Sequence, residues 1–86
     1  MSATQGAGAE FRVFAFTAAD LDIYLFTGRR AGKDARAWFD RLKADPAVQQ
    51  LFITREVGRA WSVVQRPVRR DANGAWVASR RRVRAV

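Results

Sequence analysis

The chain has 86 residues, 49% of them apolar, and 16 Lys and Arg against eight Asp and Glu, for a formal net charge of +8. Cys and His are absent, which excludes disulfides, thiolate or imidazole metal sites and imidazole acid–base chemistry. The length suits one small domain, and no apolar run reaches the ~18–20 residues of a membrane span.

Six Phe, three Trp and one Tyr argue against disorder. They also exceed what one small core buries, so a homodimer or partner face is expected. Residues 1–9, without a charged or apolar run, read as a flexible tail rather than a signal peptide. Residues 10–86 read as a single α+β domain, cytoplasmic by default. The heavy use of Ala, Arg, Gly and Val suggests a GC-rich coding sequence and hence a bacterial or phage source.

Phe11 to Thr17 is dense in aromatic and β-branched residues and predicts a strand. Its stretch from Val13 to Phe16 is apolar on both sides, which places it centrally in a sheet. The run Asp22 to Thr27 favours a second strand. The alternative is a short helix capped by Thr17, with Asp20 in a capping box and Gly28 ending it. After the loop 28–32, an amphipathic helix is expected over about 33–44, since Ala35, Trp38, Phe39 and Leu42 fall at i, i+3, i+4 and i+7. Asp45-Pro46 ends it, and Asp45 with Pro46 is placed to start a further turn reaching Gln50. Leu51 to Glu56 reads as a strand and Val57-Gly58 as a turn. Arg59 to Arg66 reads as another strand, and Pro67 assigns its far end to an edge or a bulge. Asp71 to Gly74 is a hairpin turn, and Trp76 to about Val83 is the last strand. The result is ββαβββ, an antiparallel sheet with the helix packed on one face.

The charge is unevenly spread. Residues 55–86 hold nine Arg, no Lys and two acids, Glu56 and Asp71, which is +7 of the total +8. A two-residue loop at Asn73-Gly74 and a four-residue loop over 71–74 both pair odd residues of one hairpin strand with even residues of the other. One face then carries Trp61, Val63, Gln65, Pro67 and Arg69 with Trp76, Ala78, Arg80, Arg82 and Arg84. The other carries Ser62, Val64, Arg66, Val68 and Arg70 with Val77, Ser79, Arg81 and Val83, and is expected to lie on the helix. Arginines at i, i+2 and i+4 repel one another, and an anionic partner relieves that repulsion. Guanidinium binds phosphate in bidentate fashion and stacks on bases, while Trp beside Arg suits a stacking surface. The same residues also suit a solvated edge that resists aggregation, with Trp61 and Trp76 in the core.

The expected nucleic-acid or anion-binding residues are therefore Arg66, Arg69, Arg70, Arg80, Arg82, Arg84, Trp61 and Trp76. Arg29, Arg30 and Lys33, before a helix N-terminus, are auxiliary candidates. The segment Gly28 to Asp34 lacks the length and the Ser/Thr of a phosphate-binding P-loop. Asp20, Asp22, Asp34 and Asp40 have no diagnostic spacing, so no catalytic residue, metal or cofactor is expected.

Three functions fit these features. The first is a non-enzymatic binder of nucleic acid or of a nucleoprotein complex. The second is a phage-type inhibitor of a host defence complex, of the anti-CRISPR class, which works by protein–protein contact. The third follows from a resemblance. With residues 18–27 helical, the order strand, helices, three strands with a basic last strand resembles the topology of the RelE/ParE toxin superfamily, which implies an RNase or toxin activity. That resemblance carries no site residue over.

Overall fold

Thr17 ends the first strand and turns the chain back on itself. Its Oγ1 accepts the backbone N–H groups of Ala19 and Asp20, at 3.3 and 3.0 Å, while its own N–H donates to the Asp20 carbonyl at 2.9 Å. The local polar residues thus satisfy a tight turn, and the segment after it is a strand. The structure, a computed structural model, describes residues 9–79. In chain order its elements are β1 (Glu10–Thr17), β2 (Leu21–Phe26), α1 (Ala31–Lys43), β3 (Val48–Val57), β4 (Ala60–Arg70) and β5 (Trp76–Ala78). This is the expected α+β, ββαβββ arrangement: one antiparallel sheet in the order β2-β1-β3-β4-β5 with a single helix. No described helix is long and apolar enough to cross a membrane.

The helix is the predicted one, starting two residues earlier at Ala31. Ala31, Ala35 and Phe39 are buried against the sheet, and Leu42 packs beside them. The strands below contribute Val13 and Ala15 from β1 and Leu51 and Ile53 from β3, all at most 2% exposed. Phe11, Tyr24, Phe26, Val68 and Trp76 close the periphery. Trp38 lies against Tyr24 and Phe26, with ring centroids 5.6 and 6.4 Å away.

One expectation needs correction in this region, and the favoured second strand displaces its helical alternative. The turn after the helix is short: Asp45 Oδ1 accepts the N–H of Ala47, and β3 already begins at Val48, because Val48 has a place in the core. The strand over Leu21–Phe26 also removes the helix that a toxin-like topology requires.

The hairpin differs more. Its loop holds three residues, 72–74: Asp71 N–H donates to the Ala75 carbonyl, Gly74 N–H donates to the Asp71 carbonyl, and Gly74 has φ 82. This is a turn followed by one left-handed residue, a conformation open to glycine. Asp71 Oδ1 holds it by accepting the N–H groups of Asn73 and Ala75. Even residues therefore face even residues: Val68 opposes Ala78 and Arg70 opposes Trp76. Between β3 and β4 the register slips twice, since Leu51 opposes Val68, Ile53 opposes Gln65 and Thr54 opposes Val63. The first slip sets Arg66 and Pro67 together against Phe52, a β-bulge, as a proline there demands. The strand is not an edge, because β5 lies beyond it.

Urea denaturation distinguishes the two sides of the sheet. Leu51→Ala, in the fully buried core, is expected to destabilise the protein by about 3 kcal/mol. Ile23→Ala, at a side chain 51% exposed, is expected to cost under about 1 kcal/mol.

Candidate nucleic-acid interface

Strand register distributes the side chains between two faces. On the helix side the rows across the sheet are Phe26–Phe11–Arg55–Ser62, Tyr24–Val13–Ile53–Gln65 and Asp22–Ala15–Leu51–Val68–Ala78. On the side away from the helix they are Leu21–Phe16–Gln50–Arg69–Val77, then Ile23–Phe14–Phe52 ending at the bulge of Arg66 and Pro67, then Leu25–Arg12–Thr54–Val63, and last Glu10–Glu56–Trp61.

The expected faces of the hairpin are corrected accordingly. Trp61 and Trp76 stand on opposite sides of the sheet and do not bracket one arginine ladder. The helix side of β4 carries Ser62, Gln65, Val68 and Arg70. Val64, at 44% exposure, is outside the core, and Gln65 Oε1 accepts a hydrogen bond from Arg36 of the helix at 2.9 Å. The odd loop and the two register slips account for the exchange of sides.

Arg70 and Trp76 form a clamp on the C-terminal end of α1. The Arg70 guanidinium donates to four backbone carbonyls: Val48 at 2.7 Å, Gly74 at 2.9 Å, and Lys43 and Asp45 at 3.0 Å. It lies 4.4 Å from the Trp76 ring centroid, and Trp76 Nε1 donates to the Lys43 carbonyl at 2.9 Å. A cation here satisfies carbonyls that the helix leaves without partners and complements its negative end. Both residues are thereby engaged inside the protein.

Arg66 and Arg69 are exposed. Arg66 makes no side-chain hydrogen bond or ion pair with another described residue, and Arg69 makes a single 3.5 Å contact to the Arg70 carbonyl. Trp61 is half-buried beside Glu56. Arg80, Arg82 and Arg84 lie outside the described residues.

The auxiliary candidates Arg29, Arg30 and Lys33 are exposed at the start of α1. Arg30 is the N-cap residue, and no side chain caps this helix end. Gly28, at φ 95, leads into it. Gly32 sits so close to the Phe11 ring that a Cβ added there would lie 3.2 Å from it. Phe11 is in turn the register partner of Arg55, and Arg59 lies in the β3–β4 turn at the same end of the sheet. Arg55 escapes a local reading of the sequence because only the pairing of β1 with β3 brings it beside Phe11, whose ring touches the first turn of the helix.

Charge neutralisation is sparse. Among the described residues the ion pairs are two, both on Arg12, with Glu56 and with Glu10. Arg36 and Lys43 lie over Phe39, and Arg41 over Trp38. Arg29, Arg30, Lys33, Arg55, Arg59 and Arg66 have no side-chain polar partner among the described residues. Of the acids, Asp20, Asp45 and Asp71 accept backbone N–H groups of their own turns. No group of Asp and Glu among the described residues is arranged to hold a metal ion.

The role of Arg70 is tested by substitution. Arg70→Ala is expected to destabilise the protein by about 2 kcal/mol, because it strips part-buried carbonyls of their donor. Arg70→Lys is expected to restore less than half of that, since an ammonium group cannot serve four acceptors in the plane of a guanidinium. Chemical denaturation of both variants measures the difference. Comparison with protein-family models, with curated proteins and with solved structures yields no match.

Proposed function

We propose that this protein is a non-enzymatic binder of nucleic acid, free or within a nucleoprotein complex, in the cytoplasm of a bacterium or phage host. The observation that carries this reading is the population of basic side chains left without acidic partners. In a chain of +8, only Arg12 is paired with carboxylates among the described residues, which leaves self-repulsion that a polyanion relieves.

Two groups of residues suit the task. The hairpin supplies Arg66 and Arg69, with Arg80, Arg82 and Arg84 following in the sequence. The open end of α1 supplies Arg29, Arg30 and Lys33 beside free backbone N–H groups, which favour phosphate, with Arg55 and Arg59 at the same end of the sheet. Arg70 and Trp76 support the hairpin rather than touch the ligand. Five of the eight acids are committed to turns or to Arg12, Asp22, Asp34 and Asp40 form no metal-holding group, and His and Cys are absent, so the arrangement favours holding over cutting.

Binding to a labelled duplex, measured by fluorescence anisotropy across a salt series, tests the reading. With about five phosphates neutralised, log K falls with log salt at a slope near −4.5. Replacing Arg80, Arg82 and Arg84 together by Ala is expected to weaken binding evenly across sequences and to reduce the slope by roughly three. An affinity that does not respond to salt overturns the proposal.

A further inference from the structure

We propose that the face of the sheet away from the helix is an interface between two copies of this chain, packed face to face about a two-fold axis running across the strands midway between the Ile23–Phe14–Phe52 and Leu25–Arg12–Thr54 rows. No described element covers this face. Leu21, Ile23 and Leu25 line its β2 edge at 39%, 51% and 54% exposure. Phe14 and Phe52 stack at its centre with ring centroids 4.6 Å apart, and Phe16 lies 6.1 Å from Phe52. Four strands at about 4.8 Å spacing and four rows at about 6.7 Å make a face of roughly 19 by 20 Å, about 400 Å² of flat sheet. Within it Leu21, Ile23, Leu25, Phe14, Phe16 and Phe52 form one contiguous apolar patch, and such a patch on a small protein suits an interaction site. Two such faces enclose about 800 Å² before side-chain relief is added, the scale of a small, reversible interface.

Charge selects the occupant. The outer rows of the face carry charges of opposite sign. At one end Glu10 and Glu56 hold Arg12 of the next row, leaving a net negative group. At the other end stands Arg69, while Arg66 lies at the β4 edge opposite Phe52. This two-fold axis exchanges the outer rows, so Glu56 of one copy comes beside Arg69 of the other, while Ile23 meets Leu25. In the pair Arg69 is taken up by this contact, and the polyanion is left to groups outside it: Arg29, Arg30 and Lys33 belong to the helix layer on the opposite side and stay at the outer surfaces of the pair. An isologous contact needs this self-complementarity. A nucleic acid laid on the same face would instead meet aliphatic side chains along β2 and two carboxylates at one end.

Sedimentation velocity of the full chain over a concentration series tests the inference. A reversible monomer–dimer equilibrium in the micromolar range is expected. The double variant Ile23→Thr/Leu25→Thr, which keeps net charge and strand propensity, is expected to weaken dimerisation by at least about tenfold, with an unchanged circular dichroism spectrum. The monomeric variant is expected to retain salt-dependent polyanion binding, so failure of the dimer and failure of the binding function are read separately. A chain that sediments as a monomer at every concentration overturns the proposal. So does a dimer indifferent to the double variant, or a face whose Leu21, Ile23 and Leu25 methyl signals respond to single-stranded RNA but not to dilution.

Discussion

One helix of 13 residues, about 20 Å long, has to serve a five-stranded sheet, and it can shield one side only. That constraint organises the molecule. β1 and β3 lie at the centre of the strand order, so Val13, Ala15, Leu51 and Ile53 sit beneath the helix and are almost fully buried. The same strands turn Phe14, Phe16 and Phe52 to the other side. Even there, Phe52 falls to 7% exposure, because neighbouring aromatic rings cover one another. The sheet is thus apolar on both sides but packed on one, an imbalance that composition alone foreshadows.

The helix is placed as much by its ends as by its stripe. At the C-terminal end the Lys43 carbonyl would lack a partner after the chain turns at Pro46, and the Asp45 carbonyl would have only the Val48 N–H. Arg70 and Trp76 supply donors from a hairpin 25 or more residues away in sequence. This long-range cap couples the hairpin to the core, and β5, with three described residues, gains in Trp76 an anchor that its few backbone pairs do not provide. At the N-terminal end no side chain caps the helix, and the local residues are basic. One end is closed by an arginine and the other is left open to an anion. The same residue type therefore plays opposite parts: Arg70 is consumed by carbonyls, whereas Arg29, Arg30 and Arg66 remain available.

The strands and the helix are legible in the sequence because their signals are local. The stripe of Ala35, Trp38, Phe39 and Leu42 announces the helix, and the aromatic and β-branched run from Phe11 announces a central strand. Pro67 announces the bulge opposite Phe52. What fails is parity. One glycine in a left-handed conformation at Gly74 lengthens the turn by a residue, and two register slips shift β4 against β3. Each change moves a row of side chains to the other side of the sheet. Trp76 thus joins the core, Gln65 reaches the helix and Val64 leaves it. A charge count is insensitive to such slips, which is why the surplus of arginine survives as an argument while the ladder of paired residues does not. Arg55 shows the converse: its place across from Phe11, at the N-terminal end of the helix, is a product of non-local pairing that no window of sequence contains.

Separating apolar from charged surface has a physical consequence for any polyanion ligand. In the proposed pair, the open faces are withdrawn from water and the groups at the helix N-termini point away from each other. Each copy alone engages about five phosphates, and its affinity falls with salt in proportion to that number. Two copies joined back to back present two such surfaces at a fixed separation, and the second contact forms at the effective concentration set by the first. Avidity would then arise without new contacts, provided the ligand is long or flexible enough to reach both surfaces. The apolar side of the sheet and the arginine surplus, which look like separate excesses in an 86-residue chain, become parts of one arrangement. The apolar side joins the copies, and the basic surfaces hold the anion from two directions.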